Sequence, residues 1–222
     1  MGSCATHVRV HGSLLAVPEK RLLIWIAQRL PQWINSDHLT ALALAAMAQA
    51  GAAFAAAAYD PRALWIVILS LALNWFGDSL DGTLARVRRT ERPRYGFYVD
   101  HVLDILGITL LMVGLACSGY MTPIVAMALL VAYLLVSGEM FLATATHGVF
   151  NMSFLWFGPT ELRIVLAIGT LALFGDPHVA LGEIGRYRLF DVGGAIATAG
   201  LGVALITSTI RNTRTLFRLE PR

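Results

Sequence analysis

The chain has 222 residues, 57% apolar and only 14% charged, with a net charge of +3 and a mean hydropathy of +0.66. A soluble domain carries about 25% charged residues, so this composition excludes one and points to an integral membrane protein. Several apolar segments reach the roughly 20 residues that a helix needs to cross a hydrocarbon core, and their short connections make one helical membrane domain with no nucleic-acid partner expected.

The first residues, M-G-S-C-A-T-H, lack the basic start and apolar core of a cleaved signal, so the N-terminus is expected to remain. Residues 16–33 mix Leu, Ile and Trp with Lys20, Arg21 and Arg29 and are too charged to span; they predict an amphipathic helix lying in the membrane interface. The first span is expected over 37–58, where alanines and Gly51 permit close helix packing in lipid. Asp60-Pro61-Arg62 makes a turn into the second span, 63–86, whose first half is continuously apolar and whose second half holds Asn74, Asp78 and Asp81. A basic connection leads to the third span, 96–117, with Asp100 and Asp104 near its start. The fourth span covers 122–145 and the fifth 160–175, with Pro159 at an early helix position. The sixth covers 189–210.

Six crossings leave both termini on one side. Arg and Lys collect before the first span, in Arg86 to Arg94 and in Arg211 to Arg222, and all three groups fall on that side, which the positive-inside bias makes cytoplasmic. The chain thus divides into an N-terminal segment (1–36), a six-helix catalytic domain (37–210) and a basic cytoplasmic tail (211–222). Cys4 and Cys117 form no disulfide framework.

The window from Asp78 to Asp104 places four carboxylates in 27 residues of membrane-seeking chain. Each ionised side chain at mid-bilayer costs roughly 2.5 to 3.5 kcal/mol, so the four need a compensating partner. Residues three or four apart share a helix face, which puts Asp78 with Asp81 and Asp100 with Asp104, both pairs at the same cytoplasmic depth. Four converging carboxylates suit a divalent cation, and Mg²⁺ sites in particular combine carboxylates with substrate phosphates. Gly82 and Ala85 remove bulk beside the acidic pair and Arg86 adds a cation; helix packing and an interfacial arginine are the plain alternative.

These residues resemble a known signature: D-x-x-D-G-x-x-A-R, a spacer, then G-x-x-x-D-x-x-x-D, found in the CDP-alcohol phosphotransferase family. All eight fixed positions are present, as Asp78, Asp81, Gly82, Ala85, Arg86, Gly96, Asp100 and Asp104. The spacer, Val87 to Tyr95, has nine residues where eight is commoner, which leaves the helical registers on either side intact. The resemblance implies an all-α membrane enzyme that cleaves a CDP-linked donor, passes the phosphoryl-bearing group to an alcohol and releases CMP. It also implies two Mg²⁺ or Mn²⁺ ions on Asp78, Asp81, Asp100 and Asp104, with Asp104 as the base that takes the acceptor's proton, and a homodimer among membrane lipids. A bacterial inner membrane is the expected setting. Asn35 and Thr40 resemble the family's nucleotide-side Asn and Thr, although Asn35 also suits a helix N-cap.

Two readings of the donor stand open: CDP-diacylglycerol with a small polar alcohol, which is the preferred one, or a CDP-aminoalcohol with diacylglycerol. Glu139, His147, Glu161 and Arg163 are acceptor-binding candidates, a structural Glu139–Arg163 pair being the alternative. Arg163 is the single obvious cation inside the spans, which favours an unphosphorylated acceptor. His101, next to Asp100 on the helix, is expected to point away from the site. A cation-coupled transporter would instead spread its acids along a path across the bilayer, and a membrane prenyltransferase has no need of the D-G-x-x-A-R element.

Overall fold

The computed structural model describes residues 16–147, 159–180, 182 and 185–220. Seven helices follow one another: α1 (Ala16–Ala27), α2 (Ser36–Ala57), α3 (Ala63–Arg88), α4 (Pro93–Cys117), α5 (Pro123–His147), α6 (Pro159–Ala172) and α7 (Leu189–Leu219). Five of them, α2, α3, α4, α5 and α7, are long and apolar enough to cross a membrane. The described part of α6 has 14 residues, about 21 Å at 1.5 Å per residue and short of a bilayer core of about 30 Å. The expected fifth span is therefore the least complete. The N-terminal residues 1–15 with Cys4, and Pro221 and Arg222 of the tail, lie outside the described residues.

The small residues of α2 carry the central packing. Ala50, Ala53 and Phe54 are buried with Leu111 and Leu115 of α4, and a Cβ built on Gly114 would overlap the backbone carbonyl of Gly51. Such close approach lets dispersion and backbone contacts replace a hydrophobic drive that lipid does not supply.

Helices α2 and α3 are joined by a polar ladder in antiparallel register. Ser36 Oγ donates to the Asp81 carbonyl at 2.9 Å, Asn74 Nδ2 to the Ala43 carbonyl at 3.0 Å, and Ser70 Oγ to Gln49 Oε1 at 3.0 Å. Gly77 lies at the tightest point of this contact, where an added Cβ would sit 2.6 Å from the Leu39 carbonyl. The ladder fixes how far α3 slides along α2, and hence where its aspartates stand.

Helix α1 ends at Ala27, earlier than the expected 33. Pro31 has no N–H to continue the ladder, and the carbonyls of this turn are taken by Arg88 at the end of α3: Leu30 at 2.9 Å, Pro31 at 3.0 Å, Gln32 at 3.4 Å, and Ile34. Arg92 pairs with Asp37 and stacks over the Tyr95 ring at 4.2 Å. Two arginines that the sequence assigns to membrane topology thus also hold α1 and α2 in place. The inner face of α1 buries Leu23 and Ala27 against Leu39, Leu80 and Leu84, while Val17, Leu22 and Trp25 remain exposed, as an interfacial helix requires.

A short antiparallel ribbon, β1 (His178–Ala180) with β2 (Arg186–Arg188), links α6 to α7 and is not anticipated by the sequence reading. Helix α7 runs on to Leu219, so the described part of the basic tail is helical: no Pro or Gly interrupts it before Pro221.

Candidate active site

Asp78 lies in the C-terminal half of α3, one turn after Asn74; Asp100 and Asp104 lie one turn apart in the first half of α4. Each of these three carboxylates offers an oxygen within 4.8 Å of the other two. Among the described residues they are the only such group of three His, Cys, Asp or Glu side chains. The donor set is all hard oxygen from two rigid helices, which fits Mg²⁺ or Mn²⁺ and no thiophilic metal.

Asp81 departs from the expected four-fold convergence. Its Oδ2 accepts from Thr40 Oγ1 at 2.7 Å and its Oδ1 from the Gly82 N–H, so the side chain faces α2. The physical reason is competition: α2 offers a hydroxyl at hydrogen-bond distance, and a carboxylate near other carboxylates gains by taking it. Thr40 Oγ1 also lies 3.0 Å from the Ser36 carbonyl, and its single proton serves one acceptor at a time.

Arg163 supplies the cation of the site. Pro159 opens α6 so that, one turn further on, the guanidinium reaches α3: Nη2 donates to Asp78 Oδ2 at 2.5 Å and Nε to Asn74 Oδ1 at 2.7 Å. Asn74 is oriented in turn by its bond to the Ala43 carbonyl. Nη1 of Arg163 is buried and has no hydrogen-bond partner among the described residues, a donor held ready for an oxygen.

The expected alternative of a Glu139–Arg163 pair is not what forms. Glu139 accepts from Ser208 Oγ at 2.9 Å and Asn212 Nδ2 at 2.7 Å, both on α7, while Arg163 is committed to α3. Glu161 is half-buried in the first turn of α6, and the side chain of His147 lies outside the described residues. His101 is not wholly turned from the cluster as expected: its ring packs against Phe97 and Phe141 at centroid distances of 4.2 and 5.1 Å, with Nδ1 2.7 Å from the Phe97 carbonyl and 3.8 Å from Asp100 Oδ2.

Asn35 acts as the N-cap of α2: its Oδ1 accepts from the His38 N–H at 3.0 Å, and its own N–H donates back to His38 Nδ1 at 3.3 Å. Ala85 is half-buried on α3, and the exposed Arg86 donates through Nη2 to Thr83 Oγ1 at 3.1 Å. The signature glycines behave differently from the packing glycines of α2, α3 and α4. Among the described residues, a Cβ at Gly82 would meet only the end of the Arg86 side chain at 3.4 Å, and one at Gly96 would meet nothing within 4 Å. Neither has a positive φ. Packing among the described residues does not require glycine at either place.

Asn74 was legible as an intramembrane polar residue, and its place one turn before Asp78 is a signal that it shares the aspartate's face. No local pattern announces Glu19 of α1, whose Oε1 accepts from Trp75 Nε1 of α3 at 2.7 Å and from Thr160 Oγ1 of α6 at 2.8 Å.

The sequence model of the CDP-alcohol phosphatidyltransferase family matches residues 33–210, which include every residue of the aspartate cluster and most of the chain. Among solved structures, the chain is similar to the phosphatidylinositol phosphate synthase of Mycobacterium tuberculosis, crystallised with CDP-DAG bound. The identity is 17% and the TM-score 0.59, over 89% of this chain and 94% of the other. No curated protein matches.

Proposed function

The chain belongs to the CDP-alcohol phosphatidyltransferase family, and from that membership we propose that it transfers a phosphatidyl group from CDP-diacylglycerol to a small alcohol, releasing CMP. The observation that carries the proposal is the pairing of three converging carboxylates with two signature glycines that packing does not need. An acidic site bordered by bare backbone suits a nucleoside diphosphate bridged to cations. The fold shared with a protein crystallised with CDP-DAG supports this choice of donor.

Asp78, Asp100 and Asp104, with Asp81 beside them, would hold one or two Mg²⁺ or Mn²⁺ ions. Bound there, such ions neutralise charge that develops on the diphosphate oxygens. The residues do the rest. Asp104 accepts the proton of the acceptor hydroxyl as its oxygen forms a bond to the phosphorus on the lipid side of the diphosphate. The bond from that phosphorus to the bridging oxygen breaks, and CMP leaves with that oxygen. Gly82, Ala85 and Gly96 leave room for the nucleotide, with Asn35, Thr40 and Arg86 around it.

Arg163, Glu139 and Glu161 are the acceptor-side candidates among the described side chains. The Nη1 of Arg163, unpartnered among the described residues, is by itself too little to balance a phosphate dianion, which favours an unphosphorylated alcohol. The enzyme works as a homodimer in a bacterial inner membrane, with both termini and the aspartates on the cytoplasmic side.

Arg163→Ala is expected to raise the acceptor KM by about tenfold, the loss of one charge-assisted hydrogen bond, with a smaller rise for Glu139→Gln. Steady-state kinetics with acceptor varied at saturating CDP-diacylglycerol measures both, and unchanged acceptor KM in the two variants removes the acceptor assignment. The donor assignment is tested by identifying the lipid product from a panel of CDP-linked donors and alcohols. Phosphatidyl-alcohol formed from CDP-diacylglycerol is the expected result; a product formed only from a CDP-aminoalcohol and diacylglycerol overturns it.

A further inference from the structure

We propose that Glu19, on the interfacial helix α1, is a positioning residue that fastens α3 to α6 and thereby keeps Arg163 seated against the metal-binding face of Asp78. The inference rests on the metal site named above and goes beyond it.

Three donors from two helices converge on one oxygen. Glu19 Oε1 accepts from Trp75 Nε1 at 2.7 Å, from Thr160 Oγ1 at 2.8 Å and from Ser79 Oγ at 3.4 Å. Trp75 and Ser79 are one turn apart on α3, and each directly follows a residue that holds Arg163, Asn74 or Asp78. Thr160 stands three residues before Arg163 on α6. Two seams therefore join α3 and α6 at the same height. One is inside the site, Asn74 and Asp78 to Arg163; the other is outside it, Trp75 and Ser79 through Glu19 to Thr160.

The outer seam depends on where α1 sits. Leu23 and Ala27 bury against Leu80 and Leu84 of α3, and Arg88 ties down the turn that follows. A carboxylate accepting several hydrogen bonds at a half-buried interface is well held, and removing it takes the shared acceptor from half-buried donors on both helices. Without Glu19, the first turn of α6 loses its tie to α3 beside the site. Arg163, with its direct bonds to Asp78 and Asn74, is then left as the polar tie beside the site and is free to withdraw.

The consequence is electrostatic. A guanidinium 2.5 Å from Asp78 Oδ2 competes with any divalent cation for that oxygen. Releasing it strengthens cation binding while removing the donor that α6 offers to substrate.

Mn²⁺ binding to the full-length protein in nanodiscs, followed by electron paramagnetic resonance without any substrate, reads this directly. Glu19→Ala is expected to tighten Mn²⁺ binding by about tenfold, the low end for changes just outside a metal's ligands. Arg163→Gln gives the same gain, and adding Glu19→Ala to it changes nothing further. Glu19→Gln, whose amide oxygen still accepts, stays near wild type, and Thr160→Val, which leaves α1 seated, reproduces part of the gain. Unchanged Mn²⁺ affinity in Glu19→Ala, or the same change in the Arg163→Gln background as in wild type, overturns the proposal. The readout needs no turnover, so it stands or falls separately from the CDP chemistry, which CMP release tests.

Discussion

Asp104→Asn is expected to lower turnover by about a thousandfold, within the range that a positioned general base contributes, while Mn²⁺ still binds. Asn keeps the shape and one oxygen of Asp104 in the cluster with Asp78 and Asp100, but it has no basicity to take a proton from the acceptor hydroxyl. Asp104→Asn and Asp100→Asn each leave two carboxylates of the group, so each is expected to weaken Mn²⁺ binding to a similar degree, and the loss of turnover beyond that shared effect is what marks the base. Asp100→Asn serves as the contrast: it removes the same charge from the cluster without removing the proposed base, and at saturating Mn²⁺ is expected to lose less turnover than Asp104→Asn. Kinetics paired with Mn²⁺ titration distinguishes the two. Full activity in Asp104→Asn refutes the assignment of the base.

The second large effect is on assembly of the helices. Gly114→Val would drive a branched side chain into the Gly51 carbonyl, where even a single Cβ overlaps backbone. Backbone cannot yield as a flexible side chain can, so α2 and α4 must separate. The expected loss is about 3 kcal/mol, the upper end for an overpacked core. Because α4 carries Asp100 and Asp104 while α2 registers α3 through the Ser36, Asn74 and Ser70 bonds, the same separation pulls the carboxylate cluster apart. Thermal unfolding in detergent should show a lowered midpoint, and Mn²⁺ affinity should fall with it. Gly96→Ala, at a position with open space around it, should leave the midpoint where it is.

Hydropathy and charge placed most of the helices to within a few residues because each span is a long, locally encoded apolar run, as in α4, expected over 96–117 and found at Pro93–Cys117. The Asp100–Asp104 pair was legible for the same kind of reason, a spacing of four on a helix. What escaped depended on neighbours distant in sequence. Asp81 turns to Thr40, 41 residues away, since helical spacing gives a face but not which helix lies against it. Arg163 reaches Asp78 across 85 residues and so leaves Glu139 to Ser208 and Asn212. Glu19 finds Thr160 at a separation of 141, with no repeat or motif to point to it. The end of α1 was missed because the carbonyls released near Pro31 are satisfied by Arg88, a residue that composition alone marks as a cytoplasmic charge. The hairpin before α7 rests on three residue pairs and carries no alternating apolar pattern long enough to read.

The most direct measurement is CMP release by the purified protein given CDP-diacylglycerol, Mg²⁺ and a mixture of small alcohols. The proposed function predicts CMP in step with a new phosphatidyl lipid, both abolished by chelation and by Asp104→Asn. Folded, Mn²⁺-binding protein that releases no CMP from any CDP-linked lipid or alcohol would contradict it.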